Sequence, residues 1–131
     1  MTRPAIISVV DDDASVRRAI SNFLQARGYV VHIFESAEAY LGSPYLNDTS
    51  CVIADVQMPA MDGFELLTKM RMHDRVAPFI FISGSSDEAV RARALKSGAV
   101  GFLVKPFAAT SLIACLDALL GPPRGGVNTR S

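Results

Sequence analysis

Three aspartates in a row, Asp11-Asp12-Asp13, follow one short apolar run, and a fourth, Asp55, closes another. Ser83 and Lys105 stand at the ends of two more. Carboxylates gathered at one place repel one another and resist full ionisation unless a cation joins them. An all-oxygen donor set suits a hard divalent ion such as Mg²⁺, which keeps several waters and takes only one or two carboxylates directly. Asp12 and Asp55 are the expected direct ligands, with Asp11 acting through water. Asp13 serves equally well as the cap of a following helix. Taken singly, each residue has an ordinary structural reading: a solvated acidic loop, a turn aspartate, a local serine hydrogen bond, a surface lysine. Only a fold that brings four distant positions together would give them a shared chemistry.

The surrounding pattern predicts such a fold. Apolar runs at Ala5–Val10, Tyr29–Phe34, Cys51–Ala54, Phe79–Ile82 and Gly101–Val104 have the length and the β-branched and aromatic content of buried strands. Helical spacing lies between them. Val16, Ile20, Phe23 and Leu24 share a face closed by Gly28, and Phe64, Leu67 and Met70 share another, opened by Asp62 with Glu65 placed to reach back. Leu112, Leu116, Leu119 and Leu120 form a last helix, opened by Thr110 or Ser111 and stopped by Gly121-Pro-Pro123. Ser36–Gly42 predicts a short helix. Ser86–Ser97 predicts a polar one with only Val90, Ala94 and Leu95 to pack, the least firmly docked of the set. Strands alternating with helices imply an α/β domain with a parallel sheet covered on both faces, whose ligands sit beyond the carboxyl ends of the strands. The four reactive positions all fall there.

Composition bounds the function. Thirteen basic and thirteen acidic side chains cancel, so no global field favours nucleic acid or an anionic membrane. Direct nucleic-acid binding is not expected, and no segment is long and apolar enough for a signal sequence or a bilayer span. Cys51 and Cys115 lack metal-site spacing and read as buried thiols of a cytoplasmic protein. His32 and His73 read as surface or strand-edge residues, and Met58 and Met61 as packing for the loop around Pro59. Residues 1–121 form the expected domain, with 122–131 a flexible tail or linker stub.

Four segments carry a resemblance. Val9-Val-Asp-Asp-Asp13, Asp55-Val-Gln-Met-Pro-Ala-Met-Asp-Gly63, Ile82-Ser-Gly84 and Lys105-Pro-Phe107 are similar, in order, to the signatures of the response-regulator receiver family of two-component signalling. The likeness runs from about Ile6 to Leu120, and Ser36–Leu41 with Gly98–Phe107 resemble its FixJ-like branch. It implies a doubly wound (βα)5 flavodoxin-like fold with strand order 2-1-3-4-5. It further implies Asp55 as a nucleophile toward the phosphohistidine of a sensor histidine kinase or phosphotransfer protein. Asp11 and Asp12 would hold Mg²⁺ (or Mn²⁺ as a substitute), joined by the main-chain carbonyl of Gln57. Lys105, after a cis bond to Pro106, would pair with one phosphoryl oxygen and Ser83 would donate to another. Phe102 matches the aromatic that turns inward behind Ser83, and Gln57 and Ser85 would tune the lifetime of the phosphorylated form. The fourth helix, fifth strand and fifth helix would bind a downstream protein, an output domain or a second copy on phosphorylation.

The chemistry fits that set, because phosphoryl transfer asks for charge neutralisation and in-line positioning more than covalent assistance. A haloacid-dehalogenase-like phosphatase needs a second acid two residues after the nucleophile, where this chain has Gln57. A flavodoxin-like carrier or a nucleotide-binding protein needs a small-residue or glycine-rich phosphate loop where this chain has three aspartates. Within the receiver reading, an intact single-domain regulator and the receiver part of a transcription regulator both stand.

Overall fold

The computed structural model describes residues 4–73 and 77–121. Five strands, β1 Ile6–Val10, β2 Val30–Phe34, β3 Cys51–Asp55, β4 Phe79–Ser83 and β5 Gly101–Val104, alternate with five helices. These are α1 Ala14–Ala26, α2 Ala37–Leu41, α3 Gly63–Met72, α4 Glu88–Lys96 and α5 Ala109–Leu120. The strands pair in parallel in the order β2-β1-β3-β4-β5. The chain therefore reverses direction across the sheet between β1 and β3, which opens a crevice beyond their carboxyl ends.

Alternation of side chains along the strands splits the core in two. Ile7, Val9, Ile53, Ile80 and Ile82 pack against Ile20 and Leu24 of α1 and Leu112 and Leu116 of α5. Val10, Val52, Ala54, Phe79 and Phe81 face the other way, onto Tyr40 of α2, Leu66, Leu67 and Met70 of α3, and Ala94 of α4. The doubly wound architecture follows from these two apolar faces, each needing its own layer of helices.

Local signals explain most boundaries. Asp13 caps α1 by accepting from the N–H groups of Ser15 and Val16, and Gly28 (φ 96°) closes that helix in a backbone region that favours glycine. Ser36 caps α2, and Asp62 and Glu65 form the reciprocal capping box of α3. Three expectations are corrected. Helix α5 starts at Ala109 with no side-chain cap, its flanking position being Ala108 rather than Thr110 or Ser111; burial of Leu112 and Leu116 decides its phase. The run at Tyr29–Phe34 is not a buried strand: β2 lies at the sheet edge, leaving Val30 37% and Ile33 48% exposed. Cys51 is buried, but Cys115 is only partly so, and both are free thiols. His32 sits on the β2 edge stacked on Tyr45, and His73 ends α3, as the sequence suggested. Residues 122–131, read as a tail, lie outside the described residues, and among those described no helix is long and apolar enough to cross a membrane.

Candidate functional site

The carboxyl ends of β1, β3, β4 and β5 bring the reactive residues together. Asp11 follows β1 directly and is fully buried, its backbone N–H bonded to the Phe34 carbonyl at 3.1 Å. Asp55 is the last residue of β3 and is 5% exposed. Ser83 ends β4, also fully buried, and its main-chain carbonyl accepts from the Lys105 N–H at 2.7 Å. That bond aims the lysine back across the crevice. Its ammonium lies 3.1 Å from Asp55 Oδ2 and 2.9 Å from Asp11 Oδ2, so one cation bridges two buried carboxylates. The Lys105–Pro106 peptide is cis, as the sequence resemblance implied.

Electrostatics at this edge are tense. Burial, and then the neighbouring Asp11, push the Asp55 carboxyl above its usual range; the Gln57 N–H, 3.1 Å from Oδ1, and Lys105 oppose that rise without cancelling it. Burial by itself would lower Lys105, but its contacts with Asp11 and Asp55 hold the ammonium above its ordinary value. Lys105 therefore remains a cation at neutral pH.

The donor set matches a hard divalent ion. Carboxylate oxygens of Asp11, Asp12 and Asp55 lie within 4.8 Å of one another, Asp12 exposed and the other two buried. Asp11 Oδ1 accepts from the Asp13 N–H at 2.8 Å, whereas Oδ2 faces the Lys105 ammonium at 2.9 Å. With that ammonium against two of the three gathered carboxylates, a divalent cation placed among them would lower the energy further. Asp13 is outside the cluster, with its carboxyl lowered by the Ser15 hydroxyl and N–H that it caps.

The other expected residues fall into place around this centre. The Ser83 hydroxyl accepts from the Ser85 N–H at 3.0 Å, which leaves its own proton free to be donated. Gln57 is exposed beside Asp55, while Met58 and Met61 pack onto the core beneath the loop. Phe102 lies opposite Phe81 in the β4–β5 pairing and is only 8% exposed, packed into the core.

Some positioning residues escape sequence reasoning. Arg17 donates to the Asp11 carbonyl at 2.6 Å and fixes the turn after β1. Gly63 donates its N–H to the Val56 carbonyl at 3.0 Å, and a Cβ there would lie 2.6 Å from the Asp55 carbonyl oxygen. Only glycine lets α3 begin this close to the end of β3. Ala60 takes φ 67° in the same loop, a conformation unusual for alanine.

Comparisons with known proteins bear on the family and the fold. The family model of the response regulator receiver domain matches residues 7–117. Over 120 residues the chain is 36% identical to the transcriptional regulatory protein FixJ of Bradyrhizobium diazoefficiens, spanning 92% of this chain and 58% of FixJ. It is 40% identical over 116 residues to nodulation protein W of the same organism, spanning 88% of this chain and 50% of that protein. Among solved structures, the chemotaxis protein CheY4 of Vibrio cholerae superposes with a TM-score of 0.82 at 30% identity, covering 90% of this chain and 100% of CheY4. The chain spans about half the length of the curated relatives it matches.

Proposed function

The chain belongs to the response regulator receiver family, and on that premise we propose that Asp55 is its phosphoacceptor, taking a phosphoryl group from the phosphohistidine of a sensor histidine kinase or phosphotransfer protein. The observation that carries this reading is the Lys105 ammonium, 3.1 Å from Asp55 and 2.9 Å from Asp11 at a single sheet edge. One Asp55 carboxylate oxygen attacks phosphorus, and the bond to the donor nitrogen breaks. Lys105 exchanges its contact with Asp55 for a phosphoryl oxygen, and the Ser83 hydroxyl donates to another. Asp11, Asp12, Asp55 and the main-chain carbonyl of Gln57 would hold Mg²⁺, which when bound supplies positive charge against the phosphoryl oxygens. Mn²⁺ would serve in its place.

Hydrolysis of the acyl phosphate by the same site resets the domain, so its catalysis is directed at itself. The added charge draws Ser83 toward the phosphoryl group, Phe102 shifts behind it, and α4 moves. The face of α4, β5 and α5 then gains or loses a protein partner, an attached output domain or a second copy. Residues 1–121 act as the receiver and 122–131 as a tail or linker, in the cytoplasm, where the free thiols of Cys51 and Cys115 suit a reducing environment.

Incubation with Mg²⁺ and acetyl phosphate, followed by intact mass measurement, tests the core of this reading. The expected outcome is a gain of one phosphoryl group, absent from Asp55→Asn. No gain by the folded wild-type protein would overturn it.

A further inference from the structure

Helix α4 has little to hold it. It buries only Ala94 completely, Val90 is half-buried, and its ion pair, Arg91 to Glu88 at 3.8 Å, lies in solvent. One contact departs from this pattern. The guanidinium carbon of Arg93 lies 4.2 Å from the centroid of the Phe64 ring, within cation–π range. The same ring meets Phe81 edge-on, with centroids 4.9 Å apart. Phe81 stands two residues before Ser83 on β4, and Phe64 directly follows the glycine that abuts the Asp55 carbonyl. Arg93 therefore rests on a ring that meets the strand ending in Ser83 and that shares a groove with the loop after β3.

Resting on the proposed function above, we propose that Arg93 is a positioning residue whose stack on Phe64 holds α4 in its unphosphorylated docking and sets how readily that helix releases. A guanidinium is suited to such a contact, being planar, always charged and weakly hydrated, so it lies on a ring face without full loss of solvation. Val90, Arg93 and Phe64 also line a groove shared with Gln57 and Met58 of the loop after β3. Motion of that loop on phosphorylation would reach Arg93 through Phe64 and the shared groove.

Hydrogen exchange of the α4 amides tests the tether, using Arg93→Met to keep length without charge and Arg93→Lys to keep charge without the plane. In the unphosphorylated protein, Arg93→Met should speed exchange across Glu88–Lys96 by about fivefold, the factor expected for one partly exposed cation–π contact. Arg93→Lys should recover part of the protection, and α1 amides should not change. Phe64→Leu should abolish the difference between Arg93 and its Met variant. Met exchanging like wild type, Met and Lys exchanging equally fast, or additive effects of Met and Leu would each overturn the tether. Wild-type protein with and without acetyl phosphate separates the two readings. An α4 that ignores phosphorylation sinks the α4 output reading and the tether with it; an α4 that responds while Arg93→Met changes nothing sinks the tether alone.

Discussion

Helices α1 and α4 both begin in loops leaving the reactive edge, yet they are held to the sheet by different means. Helix α1 buries Ile20 and Leu24 completely, lays Val16 and Phe23 against the same core, and is joined at its end to α5 by Arg27 and Asp117 at 3.0 Å. Helix α4 offers Ala94, half of Val90 and the Arg93 stack. The first carries Asp11–Asp13 at its start, where displacement would disperse the acids. The second follows Ser83, where on the proposed function displacement is the signal. Firm apolar burial beside the gathered acids, and thin burial beside Ser83, is the arrangement that the proposed switch requires.

Truncation of one core residue in each helix gives the widest separation. Leu24→Ala should cost about 3 kcal/mol, the usual loss for emptying a fully buried leucine site, whereas Val90→Ala should cost about 1 kcal/mol. Urea denaturation measures both. Equal costs would abolish the contrast between the helices, and a larger cost at Val90 would reverse it.

The junction between these regions is the start of α3, and Gly63→Ala tests whether it belongs to the rigid side. A Cβ pressed to 2.6 Å from the Asp55 carbonyl oxygen meets backbone, which cannot step aside cheaply. The expected loss is about 1–3 kcal/mol, with slower phosphorylation from acetyl phosphate because Asp55 itself is displaced. A variant with wild-type stability and rate would mean that the loop yields, and that the site is softer than its burial suggests.

The sequence made the rigid side far more legible than the yielding one. Asp11, Asp12, Asp55, Ser83 and Lys105 could be assigned to one edge because each ends an apolar run, and alternation alone dictates a parallel sheet. The cap at Asp62 is equally plain, and the structure decides the open choice at Asp13 in favour of a cap, both having partners two or three residues away. What the sequence concealed depends on distant contacts. The exposure of β2 follows from its place at the sheet edge, and the unassisted start of α5 follows from the packing of Leu112 and Leu116. Arg93 sits in a polar stretch and reads as solvated; only the arrival of Phe64 from α3 gives it a partner. Ser8, Thr49 and Tyr40, joined by hydrogen bonds of 2.8 and 2.9 Å, form a polar tie between β1 and the chain after α2 that no local pattern announces.

The finest test concerns charge within the rigid side. Because burial and Asp11 raise the Asp55 carboxyl above 3.8, its ionised form costs the folded protein stability. Below pH 3.8 the residue is protonated in both folded and unfolded chains, so nothing is lost. The cost appears as pH rises through the interval between 3.8 and the raised folded value, and it is complete above that. Lys105 does not disturb the sign near neutrality, since it stays protonated in both the folded and the unfolded chain there and keeps Asp11 as a partner. Asp55→Asn should therefore be more stable than wild type near neutral pH in Mg²⁺-free buffer, with the advantage fading as pH falls toward 3.8. Mg²⁺ at about a hundredfold excess over its Kd should stabilise the wild type by roughly 2.7 kcal/mol and the variant by less, narrowing or inverting the order. Thermal melts across pH, with and without the metal, decide it. A variant less stable than wild type in the metal-free protein would mean that Lys105 already balances the buried acids, leaving no strain for a cation or a phosphoryl group to relieve.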